Sequence, residues 1–189
     1  MGYGTVARLF HWVTVLLVLV MIPVGLIMTQ DIPRPLQDKL FVLHKGLGPL
    51  VLLVVLARLA WRGFNPPPPL PASVPPLQAR MAALVHAGLY TFLILQAASG
   101  YVRVTTGGFP IEALQALGIP PLLPKAEAVG KIASSVHALS VTVLIVLIAM
   151  HVAAAAFHGI VKRDGVFWRM WPPIAPQVTP RGAAAPRRR

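Results

Sequence analysis

Residues 9–29 contain no charged side chain, and further apolar stretches follow at 40–61, 81–102 and 132–161. As a helix, a run of about 20 residues is ~30 Å long, the thickness of a bilayer's hydrocarbon core. No other feature constrains the fold as strongly. Each run is too long for a strand, and the period-two alternation of a membrane barrel is absent. Composition agrees: 56% of the 189 residues are apolar and 12% are charged, about half the charged share of a soluble domain. The expected fold is therefore all-α, a four-helix transmembrane bundle occupying residues 1–172, with helices at 9–29, 40–61, 81–102 and 132–161. Pro23 lies inside the first run and is expected to kink it. A membrane helix tolerates such a proline where neighbours satisfy the freed carbonyl. The first run is too long for a signal peptide, and no small-x-small site follows it. Lys45 and Arg58 interrupt the second run near its ends, where long cations reach the interface.

The net charge of +12, from 17 Lys and Arg against five acids, would suggest nucleic acid in a soluble protein. Here the cations sit at the ends of apolar runs, which favours a membrane and no nucleic-acid partner. The side holding Arg8, Arg58, Arg62, Arg80, Lys162, Arg163 and Arg169 is more basic than residues 30–39 and 103–131. The positive-inside rule then places both termini of this multi-pass membrane protein in the cytoplasm. Residues 65–76, rich in proline, read as a stiff extended connector. Residues 111–117 read as a short interfacial helix. Residues 173–189, rich in Pro, Ala and Arg, read as a disordered basic tail held near anionic lipid.

Cysteine is absent, which excludes disulfides, thiolate-bound iron and covalent CXXCH heme attachment. The six histidines are His11, His44, His86, His137, His151 and His158, each in or beside an apolar run. Ionisable groups inside a membrane helix are costly and usually functional, although a lone one is more often a helix–helix hydrogen-bonding residue. His137 and His151 are 14 residues apart. That spacing puts them on nearly the same helix face, about 40° apart, and ~21 Å apart along the axis. One metal cannot bridge that distance, whereas two stacked cofactors suit it. Sorted by depth, the outer leaflet holds only His44 and His137. The inner leaflet offers His11, His86, His151 and His158 for two positions. Paired imidazoles in an apolar, cysteine-free bundle suit non-covalent b-type heme. Zinc would be expected to bring cysteines or carboxylates. Iron with two imidazole ligands has no open position and transfers electrons rather than activating oxygen.

With Arg8, Leu9, Phe10, His11 and Trp12 opening the first run, His44 and Gly46 opening the second, and Arg58, Leu59 and Arg62 closing it, the chain resembles the bacterial cytochrome b561 family. His86, His137, His151, His158, Lys162 and the segment Trp168, Arg169, Met170, Trp171 and Pro172 complete the likeness. It is more distantly similar to the cytochrome b subunits of nickel–iron hydrogenases and formate dehydrogenases. The resemblance implies two heme b groups. It assigns His11 and His151 to the cytoplasmic-side iron and His44 and His137 to the periplasmic-side iron. It leaves His86 and His158 as non-ligands, with His158 a quinone-site residue and proton relay. It implies electron exchange with ubiquinone or menaquinone, from superoxide or a redox protein as donor. Some relatives are proposed to oxidise superoxide at the periplasmic face, where Lys45, Arg103, Lys125 and Lys131 would steer an anion. Lys45 and Arg103 are also candidates to pair with the propionates of the outer heme. The alternative is a membrane-anchor subunit of a larger dehydrogenase or hydrogenase complex.

Overall fold

The computed structural model describes residues 2–171. The expectation for residues 173–189 lies outside the described residues. Four long helices, α1 (Thr5–Ile27), α2 (Arg34–Phe64), α3 (Pro76–Thr106) and α5 (Glu127–Ala156), form the bundle, and a one-turn helix, α4 (Glu112–Ala116), lies between α3 and α5. All four long helices are apolar and long enough to cross a membrane. Their ends extend beyond the apolar runs because proline at a first helical position needs no N–H partner. Pro35 starts α2 in this way and Pro76 starts α3. Helix α1 continues through Pro23, and α2 through Pro49. Beyond α5 the backbone widens into a π-helical turn, Phe157–Lys162, and a 3-10 turn follows at Phe167–Arg169.

The burial pattern is that of a chain solvated by lipid. Leu16, Leu19, Leu53, Leu84 and Leu139 all lie on the outside, whereas the buried set includes Thr14, Ser99 and Ser140 beside Val51, Val55, Leu93 and Leu144. Lipid is as apolar as leucine, so helices associate through small residues and hydrogen bonds. Helix α3 packs extensively on α5, α1 on α2, and α2 on α3. Neither α1 nor α2 packs closely against α5, which leaves a seam along the bundle.

Both described ends of the chain meet at one end of the bundle, called here the terminal end. Tyr3 N–H donates to the Arg169 carbonyl at 3.1 Å, and Trp12 Nε1–H donates to the Met170 carbonyl at 3.0 Å. Arg169 donates to the Pro68 and Pro69 carbonyls of the connector. The proline-rich segment thus serves as an acceptor ladder, since proline removes donors from a chain but keeps its carbonyls.

Candidate functional site: two imidazole pairs across one seam

The seam between α5 and the first two helices is where the histidines meet. At the end of the bundle capped by α4, His44 of α2 faces His137 of α5, with ring centroids 6.3 Å apart and planes at 86°. At the terminal end, His11 of α1 faces His151 of α5 at 6.2 Å. Two imidazoles bound to opposite sides of one ion, through N–metal bonds of about 2.0–2.1 Å, have centroids roughly 6–6.5 Å apart. Both pairs meet that separation. His86 of α3 lies 5.2 Å from His151, too close for an ion with the two rings on opposite sides of it. His158 lies in the π-helical turn, beyond both pairs. Among the described residues no group of three or more His, Cys, Asp or Glu is arranged to hold a metal ion. The donor sets are therefore pairs of neutral imidazoles, which suit iron already held in a macrocycle better than a bare zinc ion.

The α4-end pair borders a cavity of about 1210 Å³ whose lining includes Met21, Val51, Leu93 and Leu144. Two glycines admit its rings. A Cβ on Gly25 of α1 would lie 2.9 Å from His44 Cε1, and one on Gly100 of α3 would lie 2.9 Å from His137 Cε1. His137 Nδ1 contacts the Gln96 carbonyl at 2.9 Å. A carbonyl only accepts, so Nδ1 carries the proton and Nε2 presents its lone pair. That lone pair meets the Gln96 side-chain amide at 3.0 Å, while Ser140 Oγ–H donates to Gln96 Oε1. His44 Nδ1 is buried and leans toward the Met21 backbone without completing a hydrogen bond. An orphaned buried nitrogen, a preset tautomer and a glycine behind each ring all fit a bound heme.

The terminal-end pair is set differently. Arg58 Nη2 lies 3.1 Å from His11 Nδ1. Arginine only donates, so His11 carries its proton on Nε2 here, and ligation through Nε2 requires that proton to move. The Arg58 guanidinium also covers the Tyr90 ring at 5.3 Å.

Lys45 Nζ binds Glu112 Oε1 at 2.7 Å and the Pro110 carbonyl at 2.9 Å. It fastens α4 over the cavity instead of pointing a free charge inward. Burial pushes the Glu112 carboxyl up, but the Lys45 hydrogen bond and charge outweigh it and hold the group below its ordinary range. Lys131 likewise pairs with Glu127 at 2.8 Å. Of the anion-steering cations read from sequence, Lys45 and Lys131 are thus neutralised locally, while Arg103 lines the cavity. The sequence reading missed Gln96, Ser99, Ser140, Gly25, Gly100 and Asp164. Only Gln96 carried a signal, as the one amide in the run 81–102.

Comparison with known proteins adds two findings. A family model described as prokaryotic cytochrome b561 matches residues 2–173. The chain is 33% identical to cytochrome b561 homolog 2 of Escherichia coli (strain K12) over 171 residues, which covers 89% of this chain and 90% of that protein.

Proposed function

The chain belongs to the prokaryotic cytochrome b561 family, a membrane cytochrome family whose membership implies heme-based transmembrane electron transfer, and from that premise we propose a two-heme carrier that exchanges electrons with the quinone pool. The observation that supports two sites is the pair of seams of equal width, 6.3 Å at the α4 end and 6.2 Å at the terminal end. In this reading His44 and His137 hold one heme b, and His11 and His151 hold the other. Each bound group supplies a one-electron ferrous/ferric couple.

The protein's own residues do the rest. Gly25 and Gly100 let the imidazoles lie against backbone. Gln96 and Ser99 orient His137, with Ser99 Oγ 3.3 Å from Nδ1. Leu93, Val51 and Leu144 line the cavity with apolar surface, and α4, tied by Lys45, closes its end. With the terminal end on the cytoplasmic side, as the charge distribution favours, His158 sits where a quinone headgroup meets water. His158 then serves as hydrogen-bond partner and proton relay to ubiquinone or menaquinone. The donor on the opposite side is superoxide or a redox protein. The paired state of Lys45 and Lys131 weakens the case for steering a small anion.

A reduced-minus-oxidised spectrum with heme quantitation tests the reading. About two low-spin b hemes per chain, reoxidised by added quinone, are expected. One heme per chain overturns the two-site assignment. Two hemes that quinone does not reoxidise overturn the quinone assignment.

A further inference from the structure

Asp164 lies outside the apolar runs, yet among the described residues it is the carboxylate placed most tightly against a histidine. Its Oδ2 lies 2.6 Å from His158 Nδ1, and the two side chains are only 9% and 12% exposed. The chain makes a specific reversal to bring them together. Helix α5 opens into the π-helical turn that carries His158. Arg163 then takes a left-handed conformation at φ 50°, and Gly165 takes another at φ 84°. Between them Asp164 folds back under His158, and its Oδ1 accepts the Val166 N–H at 3.2 Å. Left-handed backbone at a non-glycine residue persists only where the surroundings over-determine it, and such residues cluster at working sites.

We propose that Asp164 is the positioning residue of a proton-delivering pair, binding His158 through Nδ1 so that the proton offered at Nε2 is that of the imidazolium. The inference rests on the quinone role of His158 proposed above and specifies how that role works. A carboxylate on Nδ1 keeps the neutral imidazole in the Nδ1–H form, whose Nε2 has no hydrogen to give. His158 therefore donates to a quinone oxygen from Nε2 only when both ring nitrogens carry hydrogen. This is the division of labour between aspartate and histidine in hydrolytic triads.

The surroundings leave Asp164 available for this. Burial pushes its carboxyl up, but the hydrogen bonds from His158 and Val166 outweigh it and hold the group below the usual carboxylate range. The other charges nearby are Lys162 and Arg163. Lys162 acts on Asp164 through space, but its ammonium is bound to Gln78 of α3 at 3.1 Å. Arg163 Nε donates back to the Ile160 carbonyl at 3.1 Å. Phe157, Ile160 and Val161 present exposed apolar surface on the same turn, suited to the isoprenoid tail of a quinone arriving from lipid.

Two electrons would reach the quinone singly, supplied by the one-electron couples of the hemes that the imidazole pairs would hold. Two protons reach its oxygens, each by breaking the His158 Nε2–H bond and forming an O–H bond. After each transfer Nε2 takes a proton from water at the terminal end, while the Nδ1–H···Asp164 bond is retained.

The test uses heme-loaded protein in lipid vesicles with a short-chain ubiquinone as oxidant. Asp164→Asn keeps an acceptor oxygen for Val166 but removes the charge. It should retain both heme spectra and slow quinone-driven heme oxidation on the order of 10²-fold, the size of a general-acid effect. Asp164→Glu should restore part of the rate, and redox-difference infrared spectra should lose their paired carboxylate–imidazolium bands only in Asp164→Asn. If His158→Ala is slow while Asp164→Asn matches the parent in rate and infrared bands, this inference falls and the quinone site stands. If neither variant slows, the quinone assignment of His158 falls with it. If both Asp164 variants lose heme, Asp164 is a scaffold residue and the inference is overturned.

Discussion

The two imidazole pairs have nearly the same separation but different surroundings. At the α4 end the rings border a cavity of about 1210 Å³, glycines stand behind them, and His137 carries its proton on Nδ1, leaving the Nε2 lone pair against the Gln96 amide. At the terminal end a cavity of about 30 Å³ reaches Arg58 and Tyr90, and Arg58 holds His11 in the opposite tautomer. The difference teaches that ligand spacing and site readiness are separate properties. The stand-off of α1 and α2 from α5 sets the first at both depths. The second depends on what neighbouring helices place beside each ring, and it differs because α3 supplies Gln96 and Gly100 at one end and α2 supplies Arg58 at the other.

The largest expected effect separates the two sites outright. His137→Ala or His44→Ala should remove one heme and leave the other, and His151→Ala or His11→Ala should do the reverse, each lowering the heme count from about two to about one. Pyridine hemochrome assay and low-temperature difference spectra read this. Loss of the same spectral component in His44→Ala and His151→Ala would break the pairing.

Glycine substitution comes next. Gly25→Ala and Gly100→Ala each force a methyl to 2.9 Å from a ring carbon. Overpacking of this kind costs about 1–3 kcal/mol, and it should weaken heme retention at the α4 end alone. Heme titration of partly depleted protein measures it, and an equal loss at both ends would show that the glycines serve general helix packing.

A smaller effect is expected of Ser99→Ala, which removes one contact to His137 Nδ1 but leaves the Gln96 carbonyl in place. A single hydrogen bond is worth about 0.5–1.5 kcal/mol, so the midpoint potential of the α4-end heme should move slightly while the other stays fixed. A shift at both would mean that the two sites are not independent.

The smallest concerns the α4 latch. Glu112 titrates below its ordinary range because of Lys45. A lowered folded-state pKa contributes stability above the unfolded value, about 4.3, and loses it as pH falls through the folded one. Protection of the α4 amides, corrected for the intrinsic base-catalysed exchange rate, should therefore be insensitive to pH near neutrality and fall only below that range. A loss of corrected protection between about pH 6 and 7, the histidine range, would assign the latch to another group.

Much of the bundle was legible in the sequence, and the reason is the solvent. Lipid cannot hydrogen-bond a backbone, so charge-free runs of this length have helices as their outcome. The short helix expected at 111–117 forms at Glu112–Ala116, where a charged first turn interrupts an apolar loop. Helix ends were less legible, because Pro35 and Pro76 start helices within polar sequence. The π-helical turn at Phe157–Lys162 left no trace, since its residues read as more of the same apolar run.

The candidate site divides along the same line. Which histidines share a face of α5, and how far apart they stand, follows from 3.6 residues per turn acting on positions 137 and 151, and the sequence alone determines it. Tertiary structure decided everything that depends on a second helix arriving. It set the width of the seam, because α1 and α2 pack on each other and stand off from α5. It set the tautomers of His137 and His11, because Gln96 and Arg58 lie 41 and 47 residues from the imidazoles they hold. It also decided the partner of His158, because only the backbone reversal through Arg163 and Gly165 returns Asp164 to it. A periodic pattern encodes direction along one helix, whereas a proton's position on an imidazole is settled by whichever donor or acceptor the fold brings within 3 Å or so.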